Sequence, residues 1–138
     1  AIESDVEEGR YSVKRFSLTN DKQMVIINKI RKARIKTVGM FILAQPTDTR
    51  ETCIKTIEYA NSLNLDVAQF SIFTPYPGTP YYEKNISKIK NTKFENFNQY
   101  QLVYGHDSIK EKEARQLLDS AYKKFVLSKI KKFFFKAY

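Results

Sequence analysis

The chain has 138 residues, a formal net charge of +9 and 42% hydrophobic side chains, which is one domain or part of one, large enough to bury a core. No apolar run approaches the ~20 residues of a membrane span; no signal-peptide pattern opens the chain; and a single cysteine, Cys53, excludes an internal disulfide, so a reducing cytoplasm is the expected setting. One cysteine and one histidine, His106, exclude a four-ligand zinc or iron–sulfur site built by this chain alone.

Taken in order, Ala1–Ser4 reads as the end of a strand, followed by an acidic turn with Glu3, Asp5, Glu7 and Glu8 close together. Those carboxylates are expected either as a solvated turn or as a polar rim for a cofactor. Arg10–Leu18 suits a short helix. Thr19 or Asn20 then caps a helix over about residues 20–34, with Met24, Ile27, Ile30 and Ala33 along one face, widened by Val25 and Ile26.

The apolar run Val38–Ala44 predicts a strand that stops at Gln45-Pro46, because proline cannot donate to a sheet ladder. Asp48 and Glu51 are placed to open the next helix, whose apolar positions are Ile54, Ile57, Ala60 and Leu63. Cys53 lies beside that stripe and reads as a small buried hydrophobe. A second apolar run, Val67–Phe73, stops at Thr74-Pro75-Tyr76-Pro77-Gly78. Strand, helix, strand within one short span is a βαβ unit with parallel strands, and runs this apolar suit strands covered on both faces. Phe41 and Phe70 should therefore lie on parallel strands, and Gln45 and Thr74 at the same end, the carboxyl edge where α/β sheets bind ligands.

Tyr81–Asn85 suits one helical turn. Residues 84–93 hold four lysines and no acid and read as a mobile linker. Phe94, Phe97, Tyr100 and Tyr104 recur at helical spacing, predicting a helix packed on the sheet or, more sharply, a stacking platform for nucleic acid. Ser108 and Glu111 form a capping box for a long last helix with Ala114, Leu117, Leu118, Ala121, Phe125 and Ile130 inward. Residues 122–138 add six lysines and no acid, interleaved with aromatic residues. Such a tail could be a solvated face, lie on nucleic acid or an anionic membrane, or cover another part of a longer protein.

Two of these stretches carry a resemblance. Ile42–Thr49, ILAQPTDT, resembles the ILGLPGDT segment of radical S-adenosylmethionine (radical SAM) enzymes. Ala68–Pro80, AQFSIFTPYPGTP, is similar to a segment of the subgroup that usually carries a cobalamin-binding domain, and Ala1–Ser4 falls where that family has GIES. The resemblance implies an α/β fold: a partial (β/α) TIM-like barrel of about three parallel strands with helices in residues 1–83, a lysine-rich linker over 84–93 and a C-terminal helical extension over 94–138. It also implies a parent enzyme using S-adenosylmethionine and a 4Fe-4S cluster, with cobalamin possible, to generate a 5′-deoxyadenosyl radical. By matching positions, Glu3, Ser4, Leu43, Ala44, Gln45, Pro46, Gln69, Ser71, Thr74, Tyr76 and Gly78 would face the cofactor or a small-molecule substrate. The family's CxxxCxxC motif is absent, so the expectation is an inactive C-terminal fragment that binds no cofactor alone and needs a missing N-terminal half-barrel or partner chain. Ala44 and Thr47 replace glycines of the family pattern, and Thr47 would resist a left-handed turn. The competing class is a non-catalytic α/β module that binds nucleic acid or an anionic membrane through its lysines.

Overall fold

The computed structural model describes residues 19–90 and 93–135. Helix α1 (Asn20–Lys32) leads into strand β1 (Val38–Leu43), helix α2 (Arg50–Ser62), strand β2 (Val67–Ile72), the short helix α3 (Pro80–Lys84) and the long helix α4 (Glu111–Phe135). The fold is α/β, and β1 and β2 form a parallel two-stranded sheet in which Phe41 stands opposite Phe70. A third strand and a closed or partial barrel are not seen among the described residues. The expected strand end Ala1–Ser4, the acidic turn and Arg10–Leu18 lie outside them.

Alternation along the strands decides what each face does. Gly39, Phe41 and Leu43 of β1 and Ala68, Phe70 and Ile72 of β2 are buried in one core with α2 and α4. Full burial of a phenylalanine contributes about 1.5–3 kcal/mol, and the Phe41 and Phe70 rings stack at 5.3 Å. The other face carries Val38, Met40, Val67 and Gln69 exposed and Ile42 and Ser71 half-buried. The expectation of two covered faces therefore fails among the described residues: an apolar run shows that a strand is apolar, not that each face has a cover.

At the amino ends of the strands, Asp66 takes hydrogen bonds from the Thr37 amide at 2.9 Å and hydroxyl at 3.1 Å, and pairs with Lys36 at 3.2 Å. This ties the entries of both strands together.

Several local expectations are corrected. Thr19 caps α1, and only Gln23 and Ile27 of that helix are buried; Met24, Val25 and Ile26 are exposed, so the predicted broad face is not a core face. Thr49, not Asp48, caps α2, in a reciprocal box with Thr52. The segment expected to be mobile is anchored: Lys90 N–H donates to Val103 at 2.9 Å, Gly105 N–H to Lys88 at 2.6 Å, and Ile89 bridges Tyr104. No helix runs through Phe94–Tyr104; a 3₁₀ turn at Phe94–Asn96 gives way to irregular chain with Gln99 at φ 68°. Phe97 and Tyr104 are buried, while Phe94 and Tyr100 point outward. Helix α4 begins at Glu111, with the Lys110 carbonyl taking the first helical bond, so Ser108 stands outside the cap position. Ile130 is exposed rather than inward.

Candidate functional site

The two strand exits lie side by side, since Phe73 N–H donates to the Leu43 carbonyl at 2.8 Å. Gln45 and Thr74 thus share one edge, as the parallel pairing requires.

The β1 exit is tightly held. Ala44 is fully buried at φ 55°, a left-handed conformation that costs a non-glycine residue roughly 1–2 kcal/mol. The strain falls on Ala44, not on Thr47. Four side chains fix this turn. Tyr104 donates to the Ala44 carbonyl at 2.8 Å, and Ala44 N–H approaches the Cys53 sulfur at 3.3 Å. Asp48 accepts the Gln45 N–H at 2.8 Å and the Thr52 hydroxyl at 2.8 Å. His106 Nδ1 accepts the Ser108 and Ile109 amides at 3.0 and 3.1 Å, so Nε2 carries the hydrogen and donates to the Gln45 carbonyl at 2.8 Å.

Burial sets the charge states here. Desolvation raises the Asp48 carboxyl above its ordinary range, against the hydrogen bonds it accepts. Burial, with Asp48 alongside, pushes the Cys53 thiol up to about 12, which keeps it protonated and a poor nucleophile at neutral pH. Burial also raises the Tyr104 phenol above its ordinary value.

The eleven residues implied by the resemblance divide accordingly. Glu3 and Ser4 lie outside the described residues. Leu43 faces the helices, and Ala44 is enclosed, so neither side chain is open to a ligand. Gln45 is also buried, yet its side-chain Nε2 has no partner among the described residues. Pro46 is half-buried beside it. Gln69 and Ser71 stand on the sheet face left uncovered among the described residues, opposite Met40 and Ile42. Thr74 turns back to the Ile72 carbonyl at 3.1 Å, and Tyr76 accepts from Gln99 at 3.0 Å. Gly78 sits at φ 81° with its amide on Glu83. Of the polar side chains among them, Gln69 is exposed, Ser71 is half-buried with its hydroxyl 3.4 Å from the Phe41 carbonyl, and Gln45 keeps an unpartnered amide among the described residues.

Tyr104 and His106 were not legible as parts of this edge, and Asp48 was expected in its loop only as a helix cap. A sole histidine just ahead of a helix was the signal available, and its partner Gln45 is 61 residues away.

A cluster does not fit: among the described residues no group of three His, Cys, Asp or Glu could hold a metal ion. A nucleoside fits better, because the buried Gln45 amide is an unused donor that a base edge could accept from. No helix of the described residues is long and apolar enough to cross a membrane.

No model of a known protein family matches the chain. An uncharacterized methyltransferase of Pyrococcus horikoshii is 37% identical over 70 residues, 51% of this chain and 15% of that protein. Bacteriochlorophyllide d C-12(1)-methyltransferase of Chlorobaculum tepidum is 23% identical over 57% of this chain and 17% of its own length. Anaerobic magnesium-protoporphyrin IX monomethyl ester cyclase of Rubrivivax gelatinosus is 25% identical over 75% of this chain and 19% of its own. The relatives are enzymes and include radical SAM-family members, at low identity and over part of the chain. The matches span less than a fifth of each of these three relatives, and none of the three names mentions cobalamin.

Proposed function

We propose that this chain forms the closing end of a radical SAM enzyme's partial barrel, with β2 as its last strand. One observation carries this reading: the sheet can grow in one direction only. Parallel strands point alternate residues to opposite edges. Val67 and Phe73 bond toward β1, so Phe70 and Ile72 point away from it. Tyr122 takes both backbone groups of Phe70, and the Gln99 carbonyl takes the Ile72 amide at 2.7 Å. On β1, Val38, Met40 and Ile42 present the outer edge, and no described residue pairs with it. A strand sealed on its far side and open through its neighbour is what a barrel's final strand requires.

In this reading, preceding strands add to β1 and the uncovered face becomes the barrel interior. Met40 and Ile42 supply an apolar wall there, Gln69 and Ser71 polar contacts, and Gln45 a donor for the adenine edge. The cluster is held by residues from elsewhere, because the chain's one cysteine is occupied by Ala44 and Asp48. The bound cofactors would supply reductive cleavage and hydrogen abstraction; this chain's residues bind, orient and exclude water. For the whole protein the reaction classes we propose are those in the relatives' names, methyl transfer and ring closure.

The test is a chimera carrying this chain behind the cluster-binding half of a radical SAM barrel. Under anaerobic reduction with S-adenosylmethionine it should form 5′-deoxyadenosine, and Gln45→Leu should depress that yield. The chain alone, given iron and sulfide, should form none. Product from the chain alone, or a folded, cluster-loaded chimera that makes none, would overturn the reading.

A further inference from the structure

We propose that the outward face of α4 between Val126 and Phe134 docks on an anionic lipid bilayer, a surface separate from the strand edge. At 3.6 residues per turn, Val126, Leu127, Ile130, Phe133 and Phe134 fall within an arc of about 120°. Each is exposed, by 46–74%. The inward positions of the same helix, Ala114, Leu117, Leu118, Ala121 and Phe125, lie on the opposite side. After Phe125 no described side chain of α4 is buried, so the helix runs on with an apolar stripe that its own core does not use.

Charge identifies the occupant. Lys123, Lys124 and Lys131 are exposed along this part of the helix, with no acid after Asp119. Two further lysines tie the helix to the domain: Lys129 reaches the Leu65 carbonyl and stands 5.2 Å over the Phe125 ring, and Lys132 donates to Asn64 at 3.0 Å. The domain thus holds the helix from one side while the other offers aromatic and aliphatic groups bordered by cations. A helix of this composition lies in the headgroup–acyl boundary with its apolar side down and its lysines against anionic headgroups. A protein groove would also accept the stripe but would not select for one-signed flanks.

The absence of tryptophan makes the test direct. In the full chain, Phe134→Trp provides a single reporter at an exposed position. Its emission should shift to the blue and be quenched by brominated acyl chains in vesicles of phosphatidylcholine with phosphatidylserine, and change little with phosphatidylcholine alone. Each lysine near such a surface is worth about fivefold in partitioning at low salt, so K123Q/K124Q/K131Q should weaken sedimentation with anionic vesicles by on the order of a hundredfold. Phe133→Ser with Phe134→Ser should weaken it at least tenfold while circular dichroism stays unchanged. Absence of vesicle binding overturns the proposal. So does binding untouched by the serine pair, which marks a purely electrostatic contact with any polyanion, and so does self-association abolished by that pair without vesicle binding.

Discussion

The Tyr122 hydroxyl closes the outer edge of β2 by bonding Phe70 twice, donating to its carbonyl at 2.8 Å and accepting its amide at 3.1 Å. One phenol thereby stands in for a neighbouring strand, and its ring packs edge-on against Phe70 at 5.4 Å. Tyr122→Phe keeps the ring and strips both bonds. An unpaired buried backbone group costs about 1–3 kcal/mol, so urea unfolding should show a loss in that range, against none for Tyr100→Phe on the surface.

Tyr104→Phe tests the β1 exit in the same way. Its hydroxyl spans 60 residues to the Ala44 carbonyl, at a residue already in a left-handed conformation. The expected loss is again about 1–3 kcal/mol. Amide exchange should quicken locally at Ala44 and Gln45, which distinguishes a loosened turn from a general loss of stability.

Gly39 should not accept a methyl group. A Cβ there would overlap Leu65 Cδ1 and come within 2.9 Å of the Phe41 ring. Overpacking of this kind costs about 1–3 kcal/mol. Gly39→Ala should fall in that range, and Leu65→Ala in the same chain should relieve part of the loss, giving a non-additive double-mutant cycle.

Asp66 predicts an acid limb. The Thr37 amide first, and then Lys36, hold its carboxyl at about 2. Its folded value lies below the ordinary one of about 3.9. Its contribution is therefore complete above that ordinary value and fades as pH falls through about 2. Asp66→Asn should be less stable at neutral pH and should lose this part of the pH dependence. Carbon-detected titration of the Asp66 carboxyl checks the value directly.

Cys53 should resist alkylation. With the thiol pushed up to about 12, its thiolate is scarce at pH 8. Iodoacetamide should label the native chain more slowly than the urea-unfolded chain by on the order of a thousandfold. Labelling at equal rates would place the thiol outside the core.

The parallel pair was legible because two apolar runs, each ended by a proline loop, bracket a helical pattern through Ile54, Ile57, Ala60 and Leu63. Phe41 and Phe70 on parallel strands, and Gln45 and Thr74 at one edge, follow from that pattern. The Phe94–Tyr104 helix was misread because spacing records which residues turn inward, not the backbone that turns them; a looping chain buries Phe97 and Tyr104 while leaving Phe94 and Tyr100 outside. Asp48 and Thr49 are adjacent and both suited to capping, and the choice fell to Thr49 because Asp48 folds back on Gln45. The clamp of Tyr104 and His106 on the β1 exit left no local trace, since its partners are 60 and 61 residues apart. The bare sheet face of the described residues was expected only through the missing half-barrel that the resemblance implied, because Val38, Met40 and Val67 look the same in sequence whether covered or bare.

Because Tyr122 and Gln99 occupy the far side of β2, the sheet has a single sticky margin among the described residues. Head-to-tail stacking into filaments needs two, one to give and one to receive. For the described residues taken alone, two copies meeting at β1 would use up each other's margin and stop, so the edge that a preceding strand would fill is also the one that limits homotypic pairing of this sheet to a dimer.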